Sequence, residues 1–275
     1  MSGAIEFSVL GIGLLGPGLV SWDEAQPVLR GDAPYLAVPS VVPAPLRLPA
    51  AERRRAGTAV KVALCVADSA CIAAGCDPAA MATVFTSSSG DGVNCHILCE
   101  TLARPPGPDR LVSPTRFTNS VHNAPAGYWH IAVGGRHAST SVCAHDDSFG
   151  AGLLAALAQL PGSAAPVLLV SSETPYPEPL NATRPLPDAM GVAFVLGAAG
   201  DPTHAGARLK ARLLPGAPAG TATRCRDAAL EDLRERIPAA RALPLLEAIA
   251  RRQAARVVLP ASPQLALEIA LEFAP

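Results

Sequence analysis

At 275 residues, 49% hydrophobic and with a mean hydropathy of +0.28, the chain is long enough for one large or two modest domains and apolar enough for a full core, which excludes extended disorder. Lys and Arg number 22 against 23 Asp and Glu, so no net field draws nucleic acid or an anionic membrane. The seven cysteines, Cys65, Cys71, Cys76, Cys95, Cys99, Cys143 and Cys225, are odd in number and scattered through apolar stretches, which predicts reduced, buried thiols.

The N-terminal "MSGAIEFSVLGIGLLGPGLV" has no basic leader, and Gly13, Gly16, Pro17 and Gly18 interrupt its apolar run, so it reads as a strand over Ile5–Leu15 closed by a turn. No run of about 18 apolar residues follows, and a soluble cytoplasmic protein is expected. The proline-rich segment from Asp32 to Pro49 predicts a surface loop. From Ala50 to Gly75, Val60, Leu64, Ala67 and Cys71 recur at helical spacing, predicting one long helix capped by Gly75. A strand at Thr83–Thr86, a Ser/Gly turn and a helix from about Asp91 then form a βα unit. The turn "SSSGDG" lacks any phosphate-loop pattern and reads as plain turn chemistry. On that helix Cys95 and Cys99 share a face while His96 points elsewhere, and no second ligand pair answers them; a core role is favoured and no metal is expected.

A polar loop leads into a helix carrying Ala126, Tyr128, Trp129 and Ile131. After it come a β run from Ala138 to Ala144, a helix in "SFGAGLLAALAQL", and buried strands in "PVLLVSSE" and "GVAFVLGA". This alternation predicts an α/β fold with a mostly parallel sheet. Beyond Asp201 the pattern weakens to "LKARLL", a linker from Pro215 to Ala222, helices near Ala228–Arg236 and Leu243–Ala255, and an apolar tail. The expected organisation is a main domain over 1–200 and a short linker and helical segment over 201–275.

Four stretches carry a family resemblance: "GIGLLGPG", "PAAERRRAGTAVKVAL", "SPTRFTNSVHNAPAGYW" and the strand-to-helix elbow followed by "PVLLVSSE". Over about residues 5 to 198 the chain resembles the N-terminal half of a β-ketoacyl synthase of the thiolase-like superfamily. Within it, the likeness is to the chain-length-factor-like proteins of aryl polyene and xanthomonadin-type pigment pathways. The resemblance implies a thiolase-like layered fold, no cofactor, a complete β-ketoacyl synthase as heterodimer partner, and an acyl-carrier protein as a further partner. Pairing is implied through the strand Ser139, Thr140, Ser141 and Val142, with Ala126, Gly127 and Trp129 as tunnel candidates.

In active members of that family the elbow reads about G-P-x-x-x-[ST]-x-[TS]-A-C-[ST]-[ST], and its Cys opens the next helix, where the helix terminus lowers the thiol pKa. An ungapped comparison puts Asp146 in the Cys position, with His145 before it and Asp147 and Ser148 after it. Cys143 falls three residues early, inside the strand, and is the nucleophile only if the register slips. Asp146 is expected to cap the helix instead. The family's later histidine motifs are also missing, since His204 is the only histidine after the elbow helix. The implied role is a subunit without catalysis of its own. The alternatives are an autonomous condensing enzyme using Cys143, or a scaffold for the synthase.

Other constellations are weaker. Ser139, Thr140, Ser141 and Ser148 lie near His137, His145, Asp146 and Asp147, but no G-x-S-x-G is present to mark a Ser-His-Asp hydrolase. His122 and His130 read as capping and packing residues. Arg53, Arg54 and Arg55 read as a solvated face, the alternative being contact with a carrier protein's acidic surface or its phosphopantetheine.

Overall fold

The computed structural model describes residues 3–163, 165–199, 208–216 and 221–273. Its strands are β1 (Ile5–Leu15), β2 (Ala82–Thr86), β3 (Ser139–Val142), β4 (Val167–Glu173), β5 (Met190–Ala198), β6 (Arg208–Pro215), β7 (Ala255–Ser262) and β8 (Leu265–Glu272). They form one eight-stranded sheet in the order β3-β2-β4-β5-β1-β6-β8-β7. The helices are α1 (Trp22–Arg30), α2 (Ala50–Arg55), α3 (Thr58–Ala74), α4 (Gly92–Ala103), α5 (Pro114–Thr118), α6 (Ala124–Val133), α7 (Ser148–Leu157), α8 (Leu180–Thr183), α9 (Ala228–Arg236) and α10 (Leu243–Arg251).

Alternating side chains on the central strands feed two cores. Leu169, Val192 and Phe194 join Phe149 and Leu153 of α7 and Leu246 of α10 on one face. Leu168, Val170 and Val195 join Val60, Leu64, Ala67 and Cys71 of α3 and Trp129 of α6 on the other. The helical spacing read from the sequence is therefore the buried face of α3. Gly13 lets α3 lie directly on β1, because a Cβ there would sit 1.9 Å from the Val66 carbonyl oxygen.

Three expectations are corrected. The sheet is mainly antiparallel: only β2–β3 and β2–β4 run parallel, while β4–β5, β5–β1, β1–β6, β6–β8 and β8–β7 do not. Helices between strands show that connections are long, not which strands become neighbours. The helix expected over 50–75 breaks at Ala56 and Gly57, which are extended. The break is held by Asn119 Nδ2, which donates to the Arg55 carbonyl at 2.9 Å, and Gly57 leaves room for Asp91, whose Oδ2 would lie 2.7 Å from a Cβ there. The segment after residue 200 is not merely linker and helix. The sheet crosses that boundary through β1–β6, and the apolar tail is the β7–β8 hairpin. His204 and residues 217–220 of the expected linker lie outside the described residues.

The two sheet edges differ. Along β7, Thr223 N–H donates to the Val258 carbonyl at 3.0 Å and Val258 N–H donates to Thr223 Oγ1 at 2.8 Å, so that edge is covered. At the other end β3 pairs only with β2. Bonds from Thr83 N–H to the Ala138 carbonyl and from Ser87 N–H to the Val142 carbonyl bracket the ladder. Alternation in a parallel ladder then turns the peptide groups of Ala138, Thr140 and Val142 inward and those of Ser139 and Ser141 outward. The outer side of β3 is an unpaired strand edge among the described residues.

Candidate functional site

β3 ends at Val142, and a single turn of 3-10 helix over His145–Asp147 carries the chain into α7. The apex of this elbow is His145, a non-glycine residue at φ 53°, with its side chain 69% exposed. Ser148 clamps the turn from below: its Oγ donates to the His145 carbonyl at 2.6 Å and accepts from Ala144 N–H at 3.0 Å. Thr86 Oγ1 in turn donates to the Ser148 carbonyl at 2.8 Å. Gly150 lets α7 approach β7, since a Cβ there would meet the Pro260 carbonyl oxygen at 1.9 Å.

Asp146 does not cap α7. Its carboxylate accepts from Arg184 Nη2 at 2.6 Å and lies 3.5 Å from Arg241 Nη2, while Asp147 takes Arg241 Nη1 at 2.6 Å. No side chain caps α7, because two guanidinium groups hold the carboxylates that would have bonded its free N–H groups. His145 Nδ1 lies 3.4 Å from Asp146 Oδ1.

Beneath the elbow sits a buried polar cluster. Glu173, at the end of β4, is 2% exposed. It accepts from Ser88 N–H at 2.6 Å, Ser88 Oγ at 2.8 Å and Ser87 Oγ at 3.4 Å. Burial pushes its carboxyl up from 4.5 to about 7, against the opposing pull of the Ser88 bonds and of Arg184. Ser88 Oγ is also 3.2 Å from Tyr176 Oη, and Arg184 Nη1 donates to Tyr176 Oη at 2.6 Å. Arg184 therefore links the buried cluster to Asp146.

Cys143 is not packed inside a strand. It lies one residue past β3, is exposed, and its Sγ donates to the Ser88 carbonyl at 3.1 Å. Cys99 is exposed as well, so the expectation of buried thiols holds fully for Cys71 and Cys225 only. Burial raises the thiol pKa of Cys65, Cys95 and Cys225, and that of Cys71 to about 12, which leaves these four poor nucleophiles. Among the described residues no cluster of three His, Cys, Asp or Glu is placed to hold a metal. Among the described residues no Ser-His-Asp triad assembles either: the Ser148 hydroxyl is committed to the backbone, and Ser139, Thr140 and Ser141 lie on the edge strand.

Beside that edge lies a cavity of about 340 Å³ lined by Asn123, Ala126, Gly127, His130, His137, Ser139 and Ser141. Gly127 faces open space, Ala126 is buried, and Trp129 lies wholly inside the α3–α6 core and does not line this cavity. His130 is structural: Nδ1 donates to the Gly135 carbonyl at 3.1 Å and Nε2 is 3.3 Å from Thr83 Oγ1. Likewise His122 Nε2 donates to the Ser87 carbonyl at 3.1 Å. Sequence reasoning missed Glu173, Arg184 and Arg241. Glu173 alone left a signal, as an acid ending an otherwise apolar strand.

A three-layer arrangement whose edge strand turns through an elbow into a buried helix defines the thiolase-like ketoacyl-synthase architecture. The sequence matches the model of the beta-ketoacyl synthase N-terminal domain over residues 29–243, and the chain belongs to that family. The match extends past the resemblance read to residue 198. No curated protein matches the sequence. Among solved structures, a ketosynthase in complex with its chain length factor from Xenorhabdus doucetiae aligns with a TM-score of 0.71 at 19% identity, covering 97% of this chain and 99% of the matched one. The ishigamide ketosynthase/chain length factor aligns at 0.71 with 14% identity, covering 98% and 100%. A beta-ketoacyl synthase from Burkholderia phymatum STM815 aligns at 0.71 with 13% identity, covering 100% of both chains.

No described helix is long and apolar enough to cross a membrane.

Proposed function

We propose that this chain is a non-catalytic, chain-length-factor-like subunit that pairs through β3 with a complete β-ketoacyl synthase and shapes its acyl tunnel. The proposed setting is polyene or fatty-acid-type pigment biosynthesis in the cytoplasm, with chains delivered by an acyl-carrier protein. One observation supports the reading: Asp146, which the ungapped family comparison sets in the position of the nucleophilic cysteine, is ion-paired to Arg184 and Arg241 at the elbow. The uncovered β3 edge and the adjoining cavity supply the pairing surface and a tunnel wall.

The exposed Cys143 is the nucleophile of the autonomous-enzyme alternative. Its S–H donates to the Ser88 carbonyl oxygen. Incubated alone with an acyl-carrier thioester or cerulenin, the protein is expected to gain no adduct at Cys143 by intact mass, while a simple alkylating reagent labels it. Stoichiometric acylation there would replace this reading with the enzyme.

Gly127→Trp separates tunnel shaping from scaffolding. A Cβ there meets nothing within 4 Å among the described residues, and Gly127 lines the cavity, so the substitution adds bulk on the cavity side. Product chains from the reconstituted pair should shorten, read by mass spectrometry, without a matching fall in turnover. An unchanged length distribution would leave the scaffold role. Ala126→Phe is the poorer probe, because Ala126 is buried and the ring would overpack the chain's own core.

A further inference from the structure

A second cavity takes no residue of β3 into its lining. About 710 Å³ in volume, it opens between the α2–α3 break, the start of α4, the α5 loop and the residues that follow β4. That size suits a small-molecule ligand. Arg54, Arg55 and Arg116 line it, against a single lining carboxylate, Asp91, whose Oδ1 is already taken by Asn94 N–H at 2.9 Å. Arg55 pairs with Glu52 at 3.0 Å, whereas no ion pair among the described residues involves Arg54 or Arg116. In a chain of net charge −1 this is a local positive excess.

The cleft is built around buried polar groups. Asn94 and Asn119, 6% and 7% exposed, clamp the two arginine-bearing segments across it. Asn94 Nδ2 donates to the Arg116 carbonyl at 2.8 Å and Asn119 Nδ2 donates to the Arg55 carbonyl at 2.9 Å, with Tyr128 Oη donating to Asn119 Oδ1 at 3.0 Å. Both cationic loops are thereby fixed without use of their side chains. Thr174 also lines the cleft, and its hydroxyl makes no hydrogen bond with another described residue. That hydroxyl is left to offer a donor and an acceptor to a molecule in the cleft. Val93 and Ile97 of α4 add an apolar wall.

We propose that this cleft binds a phosphate ester, its oxygens taken by Arg54, Arg116 and Thr174 and its apolar stem lying on Val93 and Ile97. Two guanidinium groups and a hydroxyl suit a tetrahedral anion, whereas a planar carboxylate is satisfied by one arginine fork. The inference stands apart from the partner-subunit reading, since it uses neither the elbow nor β3.

Calorimetric titration of the full chain with hexyl phosphate, inorganic phosphate and hexanoate tests it. Hexyl phosphate should bind, inorganic phosphate about tenfold more weakly for want of the apolar wall, and hexanoate more weakly still. Arg54→Gln and Arg116→Gln should each cost about tenfold or more, as loss of a charge-assisted bond does. Thr174→Val should cost a few-fold. Arg53→Gln, outside the cleft, should change nothing and controls for general charge loss, with thermal melts confirming that every variant folds. Equal affinity for hexanoate and hexyl phosphate, affinity unmoved in the Arg54/Arg116 double variant, or no heat at millimolar hexyl phosphate would overturn the proposal.

Discussion

Ser141→Pro is expected to abolish association with a partner synthase while leaving this chain folded. The Ser141 peptide group faces away from β2, so proline removes no bond of the chain's own ladder. It does remove a donor that a docking strand needs, which leaves the facing carbonyl unsatisfied at a cost of about 1–3 kcal/mol, and it puts a ring against that strand's backbone. That is a loss of about 10- to 100-fold in affinity before the clash is added. Thr140→Pro makes the contrast, because the inward Thr140 N–H serves the β2–β3 ladder and its loss should destabilise the subunit itself. Sedimentation of the pair reads association, and a thermal melt of the subunit alone reads folding. A Ser141→Pro protein that still forms the complex would place the interface elsewhere. The undisturbed complex should bury about 2,000 Å² or more, the size expected of an obligate pair.

Glu173→Gln is expected to remove a pH dependence of stability centred between the unfolded and folded titrations of that carboxyl. Burial raises its pKa from 4.5 to about 7, so the folded state holds the proton more tightly than the unfolded chain. The contribution to stability is complete below pH 4.5, falls as pH rises, and is lost above pH 7. At about 1.4 kcal/mol per pH unit, the excursion amounts to about 3 kcal/mol. Glutamine carries no charge to desolvate and still offers an oxygen to Ser88 N–H, with its amide turned toward Ser88 Oγ or Ser87 Oγ. The variant should therefore match the wild type near pH 5 and exceed it near pH 8 in chemical denaturation. A wild-type stability that is flat across this window would show that Arg184 and the serine bonds cancel the burial penalty.

The sequence by itself determined the extents of most elements and the facing of α3. Both rest on local rules: side-chain period, proline and glycine punctuation, and the Gly75 cap, which takes αL geometry in the structure. The strand Ile5–Leu15 and the helix beginning at Ser148 could be read directly for that reason. The family was legible through motifs rather than through composition or periodicity, which reach only α/β.

What the tertiary structure decided concerns groups far apart in the chain. Asp146 looks like a helix cap until Arg184 and Arg241, 38 and 95 positions later, arrive beside it. A charge-assisted bond to guanidinium outweighs the neutral backbone donors that local reasoning assigned to it. Strand direction, the covered edge at β7, the open edge at β3 and the clamping of Arg55 and Arg116 by buried asparagines are likewise long-range pairings. None carries a periodic or local signature, because each depends on which surfaces remain to be covered once the two cores have formed.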